Sequence, residues 1–251
     1  MGIIRPYQQI ASKHLKTQVL EKNMKIRPYL PATIWYHSQG LHQMLSRFGS
    51  VFIKPDKGGG GGGAIKLTLL QRGKIACQNL YSKKILPSYE VEHWVTKRMN
   101  PKRKYLIQQG IDLALIQGRP FDLRVNMQKP EKNWLITGMC AKIAAPGKIV
   151  TNHCQGGKPV HVEKAFLAVS NQDDYKAKSL HIELYTLSKE IAKTLNHRFT
   201  SLKELGIDVG IDKNNKIWIF EVNTRPDFKM FRDLSDKRIY RNIMKIHRRI
   251  V

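Results

Sequence analysis

Acidic side chains are scarce in this sequence, in which 19 Asp and Glu residues stand against 44 Lys and Arg residues. The formal net charge is +25 over 251 residues, and the isoelectric point lies near 10.1. An electrostatic field of this sign attracts anions, namely nucleotides, nucleic acids, anionic lipids or acidic polymers. The net charge therefore predicts an anionic partner, but it does not indicate which of these four classes the partner belongs to.

Cysteines and long apolar runs are also scarce. The three cysteines show no Cys-x-x-Cys spacing, which argues against a disulfide framework or a zinc ribbon and indicates free thiols in a reducing compartment. No apolar run approaches the roughly 18 residues that cross a membrane. The first residues lack the apolar core of a signal peptide. We therefore expect a soluble protein made in the cytoplasm.

Hydrophobic residues make up 41% of the chain, an ordinary share for a folded protein, and their spacing predicts both helices and strands. Apolar residues recur at helical intervals, most regularly at Leu184, Leu187, Ile191 and Leu195. Short alternating segments between turn residues predict strands joined in hairpins. The pattern predicts an α+β fold with helices at 10–23, 38–48, 88–99, 181–199 and 232–251.

Two predicted strands, GIDVGI and KIWIFEVN, flank a turn at Asn214-Asn215. Paired residues of a tight hairpin have a constant index sum, so this turn sets Asp208 opposite Glu221, with Cβ atoms about 5 Å apart. Asn223 lies two residues beyond Glu221 and hence on the same face. The opposite, buried face is expected to carry Trp218, Phe220 and Val222.

The paired carboxylates of this hairpin predict a cation site. Two carboxylates held about 4 Å apart repel by roughly 4 kcal/mol at an effective dielectric of about 20, which implies a cation or a proton between them. Two carboxylates beside an amide oxygen suit Mg²⁺ better than zinc. Asp208, Glu221 and Asn223 are therefore the predicted metal ligands. The alternative is that Asp208 lies at a strand edge and Glu221 is solvated.

A second informative stretch is a strand that ends in Lys54 and is followed by six consecutive glycines, 58–63. Backbone N–H groups without side chains can crowd against phosphate oxygens, and Lys54 would add a fixed positive charge. A glycine run can instead be a flexible linker, and this one lacks the Gly-Lys-Ser/Thr end of a P-loop. Its position between two strands of one meander favours a phosphate cradle.

Motifs along nearly the whole chain resemble those of ATP-grasp proteins, and within them the spore-coat-associated YheC/YheD group. FIKPDKGGGGGGAIKL, YLIQQ, FDLRV, TNHCQGG and GIDVGIDKNNKIWIFEVNTRP occur in that family's order and spacing. LPAT before the glycines and WIFEVNTRPD near the end are shared with the YheC/YheD group. The resemblance implies an ATP-grasp fold of two α+β lobes that grip ATP, with a helical segment at 1–49, a small lobe at 50–109 and a large lobe at 110–251.

The resemblance also implies roles for individual residues. ATP contacts are expected from Lys54, from Gly58, Gly59, Gly60, Gly61, Gly62 and Gly63, from Gln108, Gln109, Gly110 and Ile111, from Asp122 and Arg124, and from Gly156 and Gly157. Arg124, Lys142 and Asn152 are the expected catalytic residues, and Lys13 is a weak match to a first nucleotide lysine. Asp208, Glu221 and Asn223 match the family's ligands of Mg²⁺ or Mn²⁺.

Two departures from the family pattern matter. Glutamate-ligating relatives carry an arginine two residues before the Asn of Asn-x-x-Gly-Gly, where this sequence has Val150. Lys142, Lys148 or Arg225 would then have to stabilise the transferred phosphate. Many relatives also carry a preceding α/β domain that helps to hold the acceptor, and we expect this chain to lack most of it.

The resemblance implies an ATP-dependent ligase that joins an unknown carboxylate to an amine or other nucleophile through an acyl phosphate, with spore-coat proteins as partners and the spore coat as a location. One alternative is a non-catalytic protein that retains the fold and binds nucleic acid or another acidic polymer through its basic C-terminal helix. Few aromatic residues interleave with those basic ones, which argues against stacking on single strands. A second alternative is an ATP-dependent kinase.

Overall fold

A computed structural model describes residues 6–59, 62–144 and 158–251 of the chain. Several positions singled out in the sequence lie outside these described residues, namely Gly60, Gly61, Lys148, Val150, Asn152, Gly156 and Gly157. Their predicted roles stay predictions. No helix in the described ranges is long and apolar enough to cross a membrane.

The first of two antiparallel sheets has the strand order β1-β6-β2-β3-β4-β5. Its strands are β1 (Thr33–Trp35), β2 (Ser50–Pro55), β3 (Ile65–Leu69), β4 (Lys74–Gln78), β5 (Lys83–Pro87) and β6 (Tyr105–Gln109). Two helices cover one face, α2 (Ser38–Phe48) and α3 (Ser88–Thr96). Helix α2 ends where Gly49 adopts a left-handed conformation with φ of 67°, a common way for a helix to stop.

Alternation along β2 separates the core of this sheet from its open face. Val51 and Ile53 are fully buried in the cluster under α2 and α3. Phe52 and Lys54 point the other way, as a period of two requires, and line a cavity. One face of the sheet is therefore structural and the other is available for binding.

The second sheet has the order β10-β9-β8-β11-β12, with β7 paired to β8. Its strands are β7 (Leu115–Ile116), β8 (Arg119–Gln128), β9 (Leu135–Ile143), β10 (Lys158–Val160), β11 (Glu204–Ile211) and β12 (Ile217–Asn223). Its helices are α4 (Val162–Val169), α5 (Asp174–Arg198), α6 (Lys229–Arg232) and α7 (Lys237–Ile250). Helix α1 (Lys13–Glu21) packs beside α5.

Strand β8 divides this sheet into an apolar face and a polar face. Odd-numbered residues such as Leu123 and Val125 are fully buried in the cluster with α4 and α5. Even-numbered residues Asp122 and Arg124 line the cavity at one end of the polar face. At its other end Gln128 donates a hydrogen bond to a backbone carbonyl of α7, 3.3 Å away. The polar face of this sheet therefore lines the cavity at one end and contacts helix α7 at the other end.

Several element predictions differ from the structure. The basic helix predicted at 232–251 begins only at Lys237, where Asp236 caps α7 with its side chain, and Arg232 instead ends the separate helix α6. Helix α5 begins at Asp174, earlier than predicted, and α4 was not predicted at all. Segment 1–49, predicted to be helical, also contains β1, which pairs with β6 of the first sheet. The three-part division of the chain stays a prediction.

Candidate functional site

A cavity of about 390 Å³ lies between the two sheets. Its walls combine apolar side chains, glycine backbone, three lysines, one arginine and several side chains that carry carboxylate or amide oxygens. The lining residues are Lys13, Phe52, Lys54, Pro55, Gly58, Gly59, Gly62, Ala64, Lys66, Gln108, Gln109, Ile111, Asp112, Leu113, Leu115, Pro120, Asp122, Arg124, Asp208, Phe220, Glu221 and Asn223.

Lys54 extends into the cavity from the open face of the first sheet. Its Nζ donates a hydrogen bond to Gln108 Oε1 at 2.6 Å and lies 5.3 Å and 5.9 Å from the ring centres of Phe52 and Phe220. Burial lowers the pKa of Lys54 to about 8. The carboxylates of Glu221, Asp208 and Asp122 favour the charged form of Lys54 but do not offset its burial. An anion that enters the cavity would therefore stabilise this ammonium further.

Asp208 stands at the floor of the cavity and accepts four hydrogen bonds. Arg124 donates to both of its oxygens at 2.9 Å, Lys142 donates to Oδ1 at 2.9 Å, and Asn223 Nδ2 donates to Oδ2 at 3.0 Å. A carboxylate offers about four lone-pair sites, so those of Asp208 are all engaged. Burial opposes ionisation, but Arg124 and Lys142 outweigh it and hold the pKa of Asp208 below its usual range.

Lys142 lies beneath the floor of the cavity. Its side chain is 1% exposed, and its Nζ lies 3.0 Å from Asp122 Oδ1 and 2.9 Å from Asp208 Oδ1. Burial would lower the pKa of Lys142, but the two carboxylates outweigh burial and raise it. In this arrangement Lys142 orders the two aspartates and does not itself line the cavity. Its predicted catalytic role stays a prediction.

The hairpin of β11 and β12 pairs Asp208 with Glu221 as predicted, but a β-bulge lies beside this pair. Near the turn Gly210 pairs with Trp218, one residue out of step with the Asp208–Glu221 pair. The extra residue, Phe220, is unpaired, so Phe220 and Glu221 both line the cavity. The prediction that Trp218 and Phe220 lie on the buried face is therefore wrong. The buried residues of β12 are Ile217, Ile219 and Val222.

Two glycines of β11 make room for the site, and the sequence analysis did not identify either. A Cβ atom on Gly206 would lie 2.5 Å from Arg124 Nη1, and one on Gly210 would lie 2.4 Å from the Phe220 ring. Any larger residue would displace one of these side chains. The signal was present in the sequence, because Gly206, Asp208 and Gly210 alternate along one face of a single strand.

Glu221 and Asn223 present oxygen atoms to the cavity. Glu221 has a salt bridge of 3.2 Å to Lys13, and its side chain is 23% exposed. Asn223 donates with Nδ2, which leaves Oδ1 as an acceptor. The described residues contain no cluster of three or more His, Cys, Asp or Glu side chains that could hold a metal. Glu221 and Asn223, with substrate phosphates and water, nevertheless fit Mg²⁺, which commonly takes one or two protein carboxylates.

The glycine-rich segment follows β2 at the rim of the cavity. Gly58, Gly59 and Gly62 line the cavity, whereas Gly63 and Gly110 do not. Gly58 and Gly63 have φ of 124° and 83°, conformations that other residues rarely adopt. The described glycines therefore bring backbone close to the space between the sheets.

The chain segment that leaves β6 forms another wall. Gln108, Gln109 and Ile111 line the cavity, and their predicted contacts with the nucleotide stay a prediction. Gly110 instead donates its N–H to Ser50 O at 2.8 Å, and a Cβ there would lie 2.5 Å from Ser50 Oγ. The lining residues that the sequence analysis did not assign to the site are mainly apolar, namely Phe52, Pro55, Ala64, Lys66, Asp112, Leu113, Leu115, Pro120 and Phe220.

Two antiparallel sheets that enclose a cavity, with a glycine-rich segment on one side and an Asp, Glu and Asn set on the other, define an ATP-grasp fold. D-alanyl-alanine synthetase A from Vibrio cholerae O1 biovar eltor str. N16961 aligns with a TM-score of 0.56 at 12% identity, over 96% of this chain and 65% of that one. The ATP-grasp ligase PsnB, solved with minimal precursor, Mg and ADP, aligns with a TM-score of 0.50 at 12% identity, over 95% and 58%. These likenesses confirm the predicted α+β, ATP-grasp fold.

Residues 7–248 match the YheC/D-like ATP-grasp family, and the chain belongs to that family. Endospore coat-associated protein YheD of Bacillus subtilis (strain 168) is 30% identical over 224 residues, which are 85% of this chain and 48% of YheD. The chain spans about half the length of the curated relatives that it matches.

Proposed function

We propose that this chain binds Mg-ATP between its two sheets and uses it to ligate a carboxylate to an amine or another nucleophile. The observation that carries the proposal is the arrangement of one cavity, in which Lys54 and Arg124 offer positive charge and Glu221 and Asn223 offer oxygen ligands. Two structural neighbours are a D-alanyl-alanine synthetase and an ATP-grasp ligase, which supports ligation as the reaction class.

The cavity walls divide according to the parts of a nucleotide. Ile111, Leu113 and Leu115 form an apolar region suited to a base, next to the polar backbone that follows β6. Gly58, Gly59 and the ammonium of Lys54 lie where phosphates would meet N–H donors and positive charge. Bound Mg-ATP would supply the phosphoryl group that activates the substrate carboxylate.

The chain's own residues would bind and position the reactants, since such a site needs charge neutralisation more than a side-chain nucleophile. Glu221 and Asn223 would hold the metal. Asp208 would join them only by giving up one of its four present hydrogen bonds. Arg124, fixed on Asp208, would face the phosphates with its remaining N–H groups, while Lys142 keeps Asp208 in place from beneath. Asn152 stays a predicted contributor.

The metal assignment is tested by Glu221→Gln. Removing a charged oxygen ligand should weaken Mg-ATP binding at least about tenfold, measured by calorimetry. Glu131→Gln is the matched control, because Glu131 is 76% exposed and pairs with Arg249 at the surface. Equal affinity of the two variants would remove Glu221 from the metal site.

The reaction is tested by product analysis with purified protein and Mg-ATP. A ligase should release ADP and phosphate when a carboxylate substrate and an amine are both supplied, with amino acids, acidic peptides and anionic polymers as the first acceptors to test. A kinase would instead retain the phosphate on its acceptor. Release of neither ADP nor phosphate with any acceptor would favour a binding role. The relative's name supports an association with the endospore coat, which labelling of spores would test.

A second candidate function, binding of an acidic polymer, is favoured by the outer face of α7. Lys237, Arg241, Lys245 and Arg248 follow one another at intervals of four and three residues and hence form one stripe. All four are exposed, and no carboxylate of the described residues lies within 4 Å of them. The stripe leaves four charges for anionic groups of a partner.

Nucleic acid is the polymer whose binding can be tested most sharply. Four phosphate contacts predict a slope of about −3.6 for log affinity against log salt with duplex DNA. Neutralising Arg241, Lys245 and Arg248 together should reduce that slope by about 2.7. The control neutralises three lysines of α5, Lys178, Lys189 and Lys193, with the same change in net charge. A flat salt response, or equal slopes for both triple variants, would exclude this function.

A further inference from the structure

Three cations form ion pairs with Asp208 and Glu221, the two carboxylates of the predicted metal set, and Lys13 differs from the other two. Arg124 and Lys142 hold Asp208, and their side chains are 8% and 1% exposed. Lys13 holds Glu221 at 3.2 Å and is 13% exposed at the wall of the cavity. Within the described ranges no other cationic group lies within 4 Å of Glu221. Lys13 is thus the most accessible of the three counter-ions.

The ammonium of Lys13 also contacts the glycine-rich segment. Its Nζ donates a hydrogen bond to the carbonyl oxygen of Gly58 at 2.5 Å, while the same Nζ faces Glu221 on β12. One side chain therefore joins the segment at the rim of the first sheet to the carboxylate of the second sheet. While this contact persists, the Gly58 carbonyl and Glu221 are both engaged.

The backbone of Lys13 is held in place independently of its side chain. Asp56 accepts hydrogen bonds from Ser12 Oγ at 3.0 Å and from His14 N at 2.9 Å. On the other side, Ile10 N donates to Thr224 Oγ1 at 2.8 Å. The backbone around Lys13 is thus hydrogen-bonded to residues that directly follow a strand of each sheet. Lys13 can therefore move its ammonium by rotation of side-chain torsions alone.

We propose that Lys13 is an exchangeable counter-ion that occupies the metal ligand Glu221 until a divalent cation displaces it. This inference rests on the proposed function, because it takes Glu221 to be a metal ligand. A divalent cation and an ammonium repel each other at such short range, so entry of the metal expels Lys13 from Glu221. The same movement breaks the hydrogen bond to the Gly58 carbonyl, which leaves the backbone of Gly58 and Gly59 available to phosphates.

The first test measures Mn²⁺ uptake by the whole chain without nucleotide, using electron paramagnetic resonance. Lys13→Met should bind Mn²⁺ at least about fivefold more tightly than the wild type, because no ammonium competes for Glu221. Lys13→Arg should match the wild type, since it keeps the charge. Lys22→Met is the control for net charge, because Lys22 lies exposed at the other end of α1, and it should also match the wild type.

The second test measures tryptic cleavage of the bond between Lys57 and Gly58 by mass spectrometry. Cleavage there should be faster in Lys13→Met than in Lys22→Met, and Mn²⁺ should accelerate it in the wild type but not in Lys13→Met. A purely structural role of Lys13 would not make cleavage depend on the metal in this way.

Equal Mn²⁺ affinity of Lys13→Met and Lys22→Met would overturn the proposal, and so would the absence of Mn²⁺ uptake in both. Failure of the proposed function is recognised separately, by calorimetry of the wild type with Mg-ATP. If the wild type binds Mg-ATP while the two lysine variants take up Mn²⁺ equally, only the role of Lys13 is refuted.

Discussion

Replacing Lys142 by methionine tests whether one buried ammonium holds the floor of the site together. Its Nζ lies 3.0 Å from Asp122 and 2.9 Å from Asp208, in a side chain that is 1% exposed. Methionine has a similar length and no charge, so the variant keeps most of the packing and loses the cation. Both carboxylates then remain buried with less compensation, and Arg124 continues to hold Asp208.

The expected loss of stability is large. Removing one partner of a buried ion pair costs about 3–5 kcal/mol, a substantial part of the roughly 5–15 kcal/mol that stabilises a folded domain. At about 2–4 °C per kcal/mol for a chain of this size, the melting temperature should fall by roughly 10 °C. The loss should appear as a lower urea midpoint with an unchanged slope.

The pH dependence of this loss follows from the two pKa shifts. The pKa of Asp208 is depressed by Arg124 and Lys142, so its contribution is present above about pH 4 and is lost as the pH falls through its folded pKa. The pKa of Lys142 is raised, so its contribution is present below about pH 10 and is lost as the pH rises through the folded value. The deficit of Lys142→Met should therefore be largest near neutral pH and shrink in acid.

The control for this experiment is Lys176→Met. Lys176 is 65% exposed and lies 3.3 Å from Asp173, so its removal should cost less than about 1 kcal/mol. Urea unfolding of both variants at neutral and acid pH gives the comparison. If Lys142→Met were no less stable than Lys176→Met at neutral pH, the buried ion pairs would not stabilise the site.

Three further predictions concern the cavity and the buried polar groups of the second sheet. Raising the pH through about 8 deprotonates Lys54 and should weaken ATP binding about tenfold, whereas Lys54→Arg should remove this dependence in calorimetry. Gly206→Ala places a Cβ 2.5 Å from Arg124 Nη1 and should cost about 1–3 kcal/mol in urea unfolding. Gly59→Ala, with nothing within 4 Å, should cost less, and equal costs would refute the steric argument. Glu204→Gln alters a fully buried acceptor and should destabilise the fold by about 1–3 kcal/mol, so an unchanged urea midpoint would contradict this.

Much of the fold could be predicted because its patterns are local. Strand alternation, the helical spacing of α5 and the turn at Asn214-Asn215 act over a few residues, and the pairing of Asp208 with Glu221 followed from them. The bulge at Phe220 could not be predicted, because it depends on the ring fitting over Gly210 from the neighbouring strand. Side-chain packing between strands determines where such bulges occur. The rule that paired residues have a constant index sum takes no account of this packing.

The site residues were predicted unevenly for a similar reason. Four residues that the motifs singled out, Lys54, Asp122, Arg124 and Glu221, line one cavity, and their roles with ATP and metal stay predictions. The position of Lys142 beneath the floor depends on two aspartates from different strands. Lys142 becomes buried between these aspartates only when the strands assemble into the sheet. Composition and residue spacing therefore could not predict its position.

The bulge at Phe220 has a consequence for how the chain tolerates change. The strand pairing near the turn follows one register, and the pairing at Asp208 and Glu221 follows another. A change in the length of the turn therefore need not change which residues pair at Asp208 and Glu221. Residues can be inserted at Asn214-Asn215, which lies beyond the paired strands, without moving the ligands. A one-residue deletion within 217–220 would remove the extra residue and leave a regular hairpin in which Glu221 still lies opposite Asp208. The tip of this hairpin, which lies outside the paired strands, is therefore a place where a fluorescent label or a short tag can be added.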